Sequence, residues 1–295
     1  MNRPINDWDF ALFSANLHTY LPTIEWHAHP DIYTRWRDHH SGKADIDRCP
    51  PLKDPEQLCQ LLPGIFVLFH LGHHLQLPLL LAQAGLSFDI ILDRAVYERS
   101  QPLFDRLQTA MSKQGQQYGY LFSDEPSILL RARERLRSGR HLLVFADGAS
   151  GTASPSAAKD QRVTVPFLQG EVQLKKGIPL MAYLFDVALY PLSWEETADG
   201  SRYVLQEYIA DRYAENREDF IQRALCHCYD LLGEAVCRQP WIWECWPYLH
   251  TNGMLQIEDA DMLSIWKNDP MLLLPLDKKQ CLFDRRHYYA QTLNS

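Results

Sequence analysis

The sequence predicts a single α/β domain in which helices cover both faces of a mixed, mainly parallel central sheet. Three observations predict this fold. Short apolar runs of strand length recur along the middle of the chain, amphipathic stretches of helix length separate them, and glycine or proline marks many of the junctions. The chain has 295 residues, of which 46% are hydrophobic and 22% charged, so it is globular in composition and long enough for a substantial core.

The chain divides into three predicted parts. Residues 1–60 form an N-terminal cap region, residues 61–250 the α/β domain, and residues 251–295 a C-terminal extension packed on the core. In the cap region we expect a short helix from Asp7 to Tyr20. The later stretch SGKADIDRCPPLKDP indicates a loop, because its Gly, Asp and Pro-Pro residues interrupt regular structure.

Strands and helices alternate through the α/β domain. Gly64 to His70 is a bounded apolar run, as expected of a strand buried on both faces. The predicted strands are 64–70, 88–92, 141–146, 180–185 and, at the edge of the sheet, 203–208. The predicted helices are 73–85, 101–117, 126–138 and 216–237. Gly85 and Gly139 stand where a C-terminal glycine ends a helix.

Composition disfavours several classes of function. The formal net charge of −8 argues against a nucleic-acid partner, although a local basic patch could still dock an acidic carrier protein. The odd number of cysteines, seven, leaves at least one thiol unpaired, which favours a reduced, cytoplasmic setting. We expect no signal peptide and at most peripheral membrane contact, because the apolar stretches are short or interrupted.

The strongest local feature is the segment FHLGHHL, in which His70 ends the first predicted strand. A side chain at the carboxyl end of a buried strand points into the crevice where α/β sheets bind ligands, and the next helix offers N–H groups there. A neutral His70 would remove a proton from an attacking hydroxyl or amine. His73 lies about one helical turn away, and His74 is a candidate substrate contact.

Four segments, in order, resemble the lysophospholipid and lipid A acyltransferases of the late acyltransferase type. His70-Leu71-Gly72 match the family's histidine motif, while Leu75 stands at the position of its acid. LRSGRHLLVFADGASG resembles the family's strand and aspartate loop, with Asp147 in the aspartate position. VPFLQGEVQLKKGIPLMA and Pro240-Trp241-Ile242-Trp243 resemble the two segments that follow.

This resemblance implies a glycerolphosphate acyltransferase-like fold and an acyl transfer reaction. The donor would be a thioester on the phosphopantetheine arm of an acyl or peptidyl carrier protein, with no bound cofactor. His70 would be the base, and N–H groups near Gly72 or Gly148 would stabilise the oxyanion. Arg94 would bind a phosphate of the arm, although a solvated loop arginine is an equal interpretation.

Leu75 in place of the acid has a chemical consequence. A hydroxyl acceptor benefits strongly from a base held by a carboxylate, whereas an unprotonated amine attacks a thioester more readily. We therefore expect a soluble amine acceptor of a specialised biosynthetic pathway, with His73 as a stand-in for the acid. The alternative is O-acylation of a lipid A or lysophospholipid acceptor at the membrane surface.

The remaining candidates have structural interpretations as well. Asp147 would orient an arginine or the acceptor, or else form an ordinary Asx-turn. Ser150 is a candidate substrate contact, although Gly148-Ala149-Ser150-Gly151 lacks the Gly-x-Ser-x-Gly pattern of a nucleophile. Trp243 would line an acyl groove or pack in the core.

Two other classes of function stay open. His27 and His29 have a His-x-His spacing, which places two imidazoles on one side of a strand and would begin the site of a metal-dependent hydrolase. We expect no metal, because paired Cys-x-x-Cys ligands and a barrel pattern are lacking. A catalytically inactive binding homologue is the second alternative, and Leu75 favours it.

Overall fold

The computed structural model describes residues 7–41, 51–112, 118–148, 162–198, 200–206, 216–251, 256–260, 270–277 and 279–293. Within these ranges the first eight strands are β1 (Ile65–Leu68), β2 (Phe88–Leu92), β3 (Tyr118–Phe122), β4 (His141–Phe145), β5 (Arg162–Phe167), β6 (Gly170–Lys175), β7 (Leu189–Thr197) and β8 (Gly200–Leu205). The helices are α1 (Trp8–Tyr20), α2 (His29–Ser41), α3 (Pro55–Leu58), α4 (Leu77–Gln83), α5 (Arg94–Arg99), α6 (Gln101–Ser112), α7 (Ile128–Arg137), α8 (Gly177–Phe185) and α9 (Arg217–Arg238).

Six strands form the central sheet, in the order β3-β2-β4-β1-β7-β8. The pairs from β3 through β7 are parallel, and β8 runs antiparallel to β7 at the edge. The chain steps one way along the sheet from β1 to β3 and the other way from β3 to β7. Because parallel crossovers are right-handed, the connecting helices then lie on opposite faces. The predicted α/β fold with a mixed, mainly parallel sheet is confirmed.

The predicted fourth strand, Leu180 to Phe185, is wrong. These residues belong to helix α8, and the strand that follows them is β7. A short apolar run has no period that separates a buried strand from a buried helix. Pro179 lies in the first turn of α8, where proline is tolerated, and Asp186 ends the helix in the left-handed region at φ 58°.

The predicted helix 101–117 is found as α6 over Gln101–Ser112, and residues 113–117 lie outside the described residues. In the cap region, α1 confirms the helix expected from Asp7 to Tyr20. Asp7 caps it, because its side chain accepts a hydrogen bond from the Phe10 N–H at 2.7 Å.

The C-terminal part contains a second sheet, with strands β9 (Gln256–Ala260), β10 (Met271–Leu276), β11 (Lys279–Asp284) and β12 (Tyr289–Leu293) in the order β10-β11-β12-β9. It packs against α1, since Ala11 and Ala15 form one buried cluster with Leu274 and Phe283. Helix α1 of the N-terminal part and the C-terminal sheet therefore share one buried cluster. The predicted boundaries of the three parts, at residues 60 and 250, stay predictions. No helix in the described ranges has both the length and the apolar content needed to cross a bilayer.

Candidate functional site

Sheet register brings His70 next to Asp147. Strands β1 and β4 are parallel neighbours, and Leu68 stands opposite Phe145 at their carboxyl ends. His70 and Asp147 each follow this pair by two residues, so their side chains meet at the same edge of the sheet. The Ala146 N–H donates to the Leu68 carbonyl at 2.9 Å and extends the pairing. This is the edge at which α/β sheets bind ligands.

The two residues form a hydrogen-bonded dyad. Nδ1 of His70 lies 2.7 Å from Oδ1 of Asp147, and the His70 backbone N–H donates to Oδ2 at 2.9 Å. Asp147 is buried, with 1% of its surface exposed, whereas the His70 side chain keeps 26% exposure. A carboxylate accepts hydrogen bonds, so the ring carries its proton on Nδ1 and its basic lone pair on Nε2.

Two further groups hold the Asp147 carboxylate. The indole N–H of Trp243 donates to Oδ2 at 2.7 Å, and the Cys245 thiol donates to the same oxygen at 3.7 Å. Burial raises the pKa of Asp147, but the charge and hydrogen bonds of His70 and the Trp243 donor outweigh burial and hold that pKa below its usual value. Asp147 is thus kept ionised while buried beside the imidazole.

The segment containing Trp243 is joined to the histidine motif through the backbone. The Gly72 N–H donates to Ile242 O at 2.9 Å, and the Glu244 N–H donates to His70 O at 2.9 Å. Gly72 has φ +56°, and a Cβ there would lie 2.4 Å from the Trp194 ring, so only glycine fits. Of the N–H groups expected to stabilise an oxyanion near Gly72 or Gly148, the Gly72 N–H does not serve, because Ile242 O already accepts it.

His74 does not serve the predicted role of substrate contact, because it is 2% exposed. Its Nε2 lies 3.2 Å from Oε2 of Glu244, and its ring meets the His70 ring edge-on with centroids 4.8 Å apart. Glu244 was missed at the sequence level, and its side chain, paired with His74, is 19% exposed. Its position follows from the backbone pairing with His70.

The expectation that His73 replaces the missing acid is also wrong, since Asp147 holds that place. The His73 ring lies 5.2 Å from the His39 ring and 6.0 Å from the Trp194 ring, measured between centroids. Burial lowers the pKa of His73, which favours a neutral ring. His73 therefore packs beside the site without joining the dyad.

The other predicted substrate contacts are placed differently. Gly148 adjoins the base, because a Cβ at that position would lie 3.8 Å from Cε1 of His70. Ser150 lies outside the described residues. Trp243 is 1% exposed and supports Asp147, so the prediction that it lines an acyl groove is wrong.

Arg94 is not placed as a phosphate ligand. It begins α5 after β2, two strands away from β1 in the sheet. Its guanidinium lies 3.4 Å from Asp124 and 3.0 Å from Glu125, and it sits 4.0 Å above the Phe122 ring. These two carboxylates already balance its charge, which leaves little attraction for a phosphate.

The His27/His29 metal pair is not formed. Trp26–Ala28 is a single 3₁₀ turn that leads into α2. His27 and His29 are therefore not in a strand, and their side chains do not lie on one side of it. His29 is buried, with Nδ1 2.6 Å from the Ser14 hydroxyl and Nε2 3.2 Å from Ile24 O, whereas His27 is exposed. Both ring nitrogens of His29 are thus engaged in holding the fold.

Within the described ranges, one group of possible metal ligands gathers its donor atoms within 4.8 Å of one another, namely His70, Asp147 and Cys245. Tetrahedral zinc holds its nitrogen and oxygen ligands about 3.4 Å apart. The 2.7 Å separation of Nδ1 and Oδ1 is that of a hydrogen bond, and Oδ2 already accepts an indole and a backbone N–H. The geometry favours an acid–base dyad over a metal centre.

Comparison with known proteins shows weak structural similarity and no match in sequence. No model of a protein family matches the chain, and no curated protein matches it. Among solved structures, the chain is similar to the 1-acyl-sn-glycerophosphate acyltransferase PlsC from Thermotoga maritima, with a TM-score of 0.39 and 13% identity over 76% of this chain and 94% of that one. We therefore base the function on the site itself.

Proposed function

We propose that the chain is an acyltransferase in which His70 is the general base and Asp147 holds it in position. The observation that carries this proposal is the 2.7 Å contact from Nδ1 of His70 to a fully buried, ionised carboxylate. That contact sets the tautomer in which Nε2 is basic, and it stabilises the imidazolium that forms during a proton transfer.

The proposed reaction is a direct transfer from a thioester. Nε2 of His70 accepts the proton of the acceptor's hydroxyl or amine while that oxygen or nitrogen bonds to the thioester carbonyl carbon. The tetrahedral intermediate then expels the thiolate as the C–S bond breaks, and the thiolate takes the proton from the His70 imidazolium. The acyl group ends on the acceptor, and a free thiol leaves.

We propose a carrier-bound thioester as the donor. A base and its supporting carboxylate activate the acceptor only, so the carbonyl carbon has to be reactive already, as it is in a thioester. Glu244 is a second carboxylate at the site, 19% exposed and paired with His74, whose ring packs against His70, and the backbone at Gly148 adjoins the His70 ring. We propose that these two residues contact the acceptor and the carbonyl oxygen respectively.

The support that Asp147 gives to His70 allows a hydroxyl acceptor as well as an amine. The expectation of an amine rested on an unsupported histidine, and His70 is supported. A dyad of this kind also serves a hydroxyl acceptor, which is the weaker acid and needs the help more. We therefore propose an amine or hydroxyl acceptor, to be separated by experiment.

Thiol release from S-octanoyl-pantetheine tests this function. We expect release to require an acceptor from a panel of amino and hydroxyl compounds, and to fall about 100-fold or more in His70→Ala. His27→Ala is the matched control, because His27 is exposed and belongs to the rejected metal pair. Equal turnover by the wild type and His70→Ala, or none with any acceptor, would contradict the proposal.

A further inference from the structure

A cleft lies at the opposite edge of the sheet from His70. Its volume is about 750 Å³, within the usual range for small-molecule sites, and it is lined by residues that precede β1, β4 and β7. Pro63 lines it, seven residues before His70. At about 3.3 Å per extended residue, this places the cleft roughly 20 Å from the base. It is therefore separate from the proposed active site.

The charge in this cleft comes from helix α7. Arg133 and Arg137 both line the cleft, and a spacing of four residues places them on one face of the helix. Neither arginine has an ion-pair partner within the part of the chain that the structure describes. Asp186 is the acidic residue in the lining, so the lining carries a net positive charge within a chain of net charge −8.

The other arginines of the same helix behave differently. Arg131 pairs with Glu125, and Arg135 lies 3.7 Å from Asp89. Each of the two arginines that face away from the cleft therefore has a carboxylate partner in the fold, whereas the two in the cleft have no ion-pair partner among the described residues. Unbalanced guanidinium groups side by side attract a carboxylate or phosphate.

The walls of the cleft are apolar as well as charged. Leu62 is 78% exposed and Leu184 is 47% exposed, and Phe185 lies beside Leu184 in the lining. Exposed leucines of this kind gain free energy when an alkyl chain covers them, by roughly 25 cal/mol per Å² of apolar surface. An anionic head group at the arginines and a chain along these side chains would satisfy both features together.

We propose that this cleft binds a single-chain anionic amphiphile, with the head group on Arg133 and Arg137 and the alkyl chain against Leu62 and Leu184. The proposal does not depend on the acyltransferase reaction, because it concerns binding at a separate edge of the sheet.

Isothermal titration with decanoate tests the proposal. We expect saturable binding of one decanoate per chain, weakened about 10-fold or more by the double substitution Arg133→Gln/Arg137→Gln. Decanol and acetate, which lack the charge and the chain respectively, should each bind at least 10-fold more weakly than decanoate. Leu184→Ser should weaken decanoate binding and leave acetate unchanged.

Arg131→Gln/Arg135→Gln is the matched control, since it removes the same charge from the same helix outside the cleft. It should bind decanoate like the wild type, with folding of each variant checked by thermal melting. The absence of saturable decanoate binding would overturn the proposal. So would equal affinity in the wild type and the cleft variant, or an equal loss in the control variant.

Discussion

Two buried networks in this protein are built around a histidine, and they differ in the charge of the partner. At the carboxyl edge of the central sheet, Nδ1 of His70 meets the carboxylate of Asp147 at 2.7 Å. Between α1 and the start of α2, Nδ1 of His29 meets the hydroxyl of Ser14 at 2.6 Å. The oxygen of Ser14 also accepts from the Arg285 guanidinium at 2.6 Å, so this second network ends in a cation.

The difference decides what each imidazole can do. A neighbouring carboxylate favours the protonated ring, so His70 is suited to taking up a proton. His29 is buried and lies near Arg285, and burial together with that cation lowers its pKa to about 4. Nε2 of His29 is bonded to Ile24 O, and Ser14 connects the ring to Arg285 of the C-terminal part, so His29 remains neutral and holds the fold. One histidine is built to change its charge, and the other to keep it.

The largest expected effect comes from removing the charge of the first network. Asp147→Asn keeps the size of the side chain but removes the negative charge that stabilises the imidazolium and sets its tautomer. We expect thiol release from the thioester donor to fall about 100-fold or more, as in His70→Ala, because an imidazole without its carboxylate loses both the correct tautomer and the stabilisation of its protonated form. Steady-state rates with the best acceptor provide the measurement.

The stability of Asp147→Asn separates a catalytic loss from unfolding. Urea unfolding should show a folded protein at assay temperature, because the amide still accepts from Trp243 or the His70 backbone. If a folded Asp147→Asn transfers acyl groups at the wild-type rate, Asp147 is a structural residue and the contrast with the Ser14 network disappears.

The second prediction concerns pH and the histidines that stay neutral. Burial lowers the pKa of both His29 and His141 to about 4, whereas an unfolded histidine titrates near 6.5. Below pH 6.5 the unfolded chain therefore binds protons that the folded chain refuses, so stability falls as the pH drops from 6.5 to about 4 and is fully present above 6.5. Each histidine should cost about 2 kcal/mol at pH 5.

Urea unfolding at pH 7.5 and pH 5 measures this loss in the wild type and in His29→Gln. The variant should be less stable at pH 7.5, because the network with Ser14 and Arg285 is disturbed. The free energy of unfolding of the variant should fall less between pH 7.5 and pH 5 than that of the wild type. The difference is the contribution of His29, because His141 still lowers the stability of both proteins. An unchanged loss in His29→Gln would show that His29 takes up its proton in the folded protein.

The sequence predicts the parallel sheet, the position of His70 and the presence of Asp147, because each rests on a local apolar run and the residue that ends it. The sequence does not predict that His70 pairs with Asp147, although the positions of the two residues directly after predicted strands contain a signal for it. If β1 and β4 are taken as parallel neighbours, the residues following both strands meet at one edge. Strand order depends on long-range packing, and Leu75 at the position of the acid does not indicate that a distant aspartate replaces it.

The donors to Asp147 depend on still longer-range contacts. Trp243 and Cys245 lie about a hundred residues after Asp147 and reach it through backbone pairing between Gly72 and Ile242. A tryptophan in an apolar segment is as typical of core packing as of a polar role, so composition alone cannot assign its indole N–H. His29 illustrates the reverse case, since a spacing typical of metal ligands lies in a helical turn that separates the two rings.

The smallest expected effect tests whether the carboxylate needs its distant donor. Trp243→Phe keeps an aromatic ring in the buried site but removes the N–H that reaches Oδ2 of Asp147 at 2.7 Å. A buried carboxylate that loses one hydrogen bond costs about 1–3 kcal/mol, and the pKa of Asp147 should rise accordingly. We expect transfer to fall about 10-fold at neutral pH, with the acid limb of the pH–rate profile moved to higher pH.

Trp241→Phe is the matched control, because its ring stacks with Arg35 and does not reach Asp147. An acid limb at the same pH in both variants would show that the His70 contact alone keeps the carboxylate ionised, and the first network would then depend on its two charged members alone.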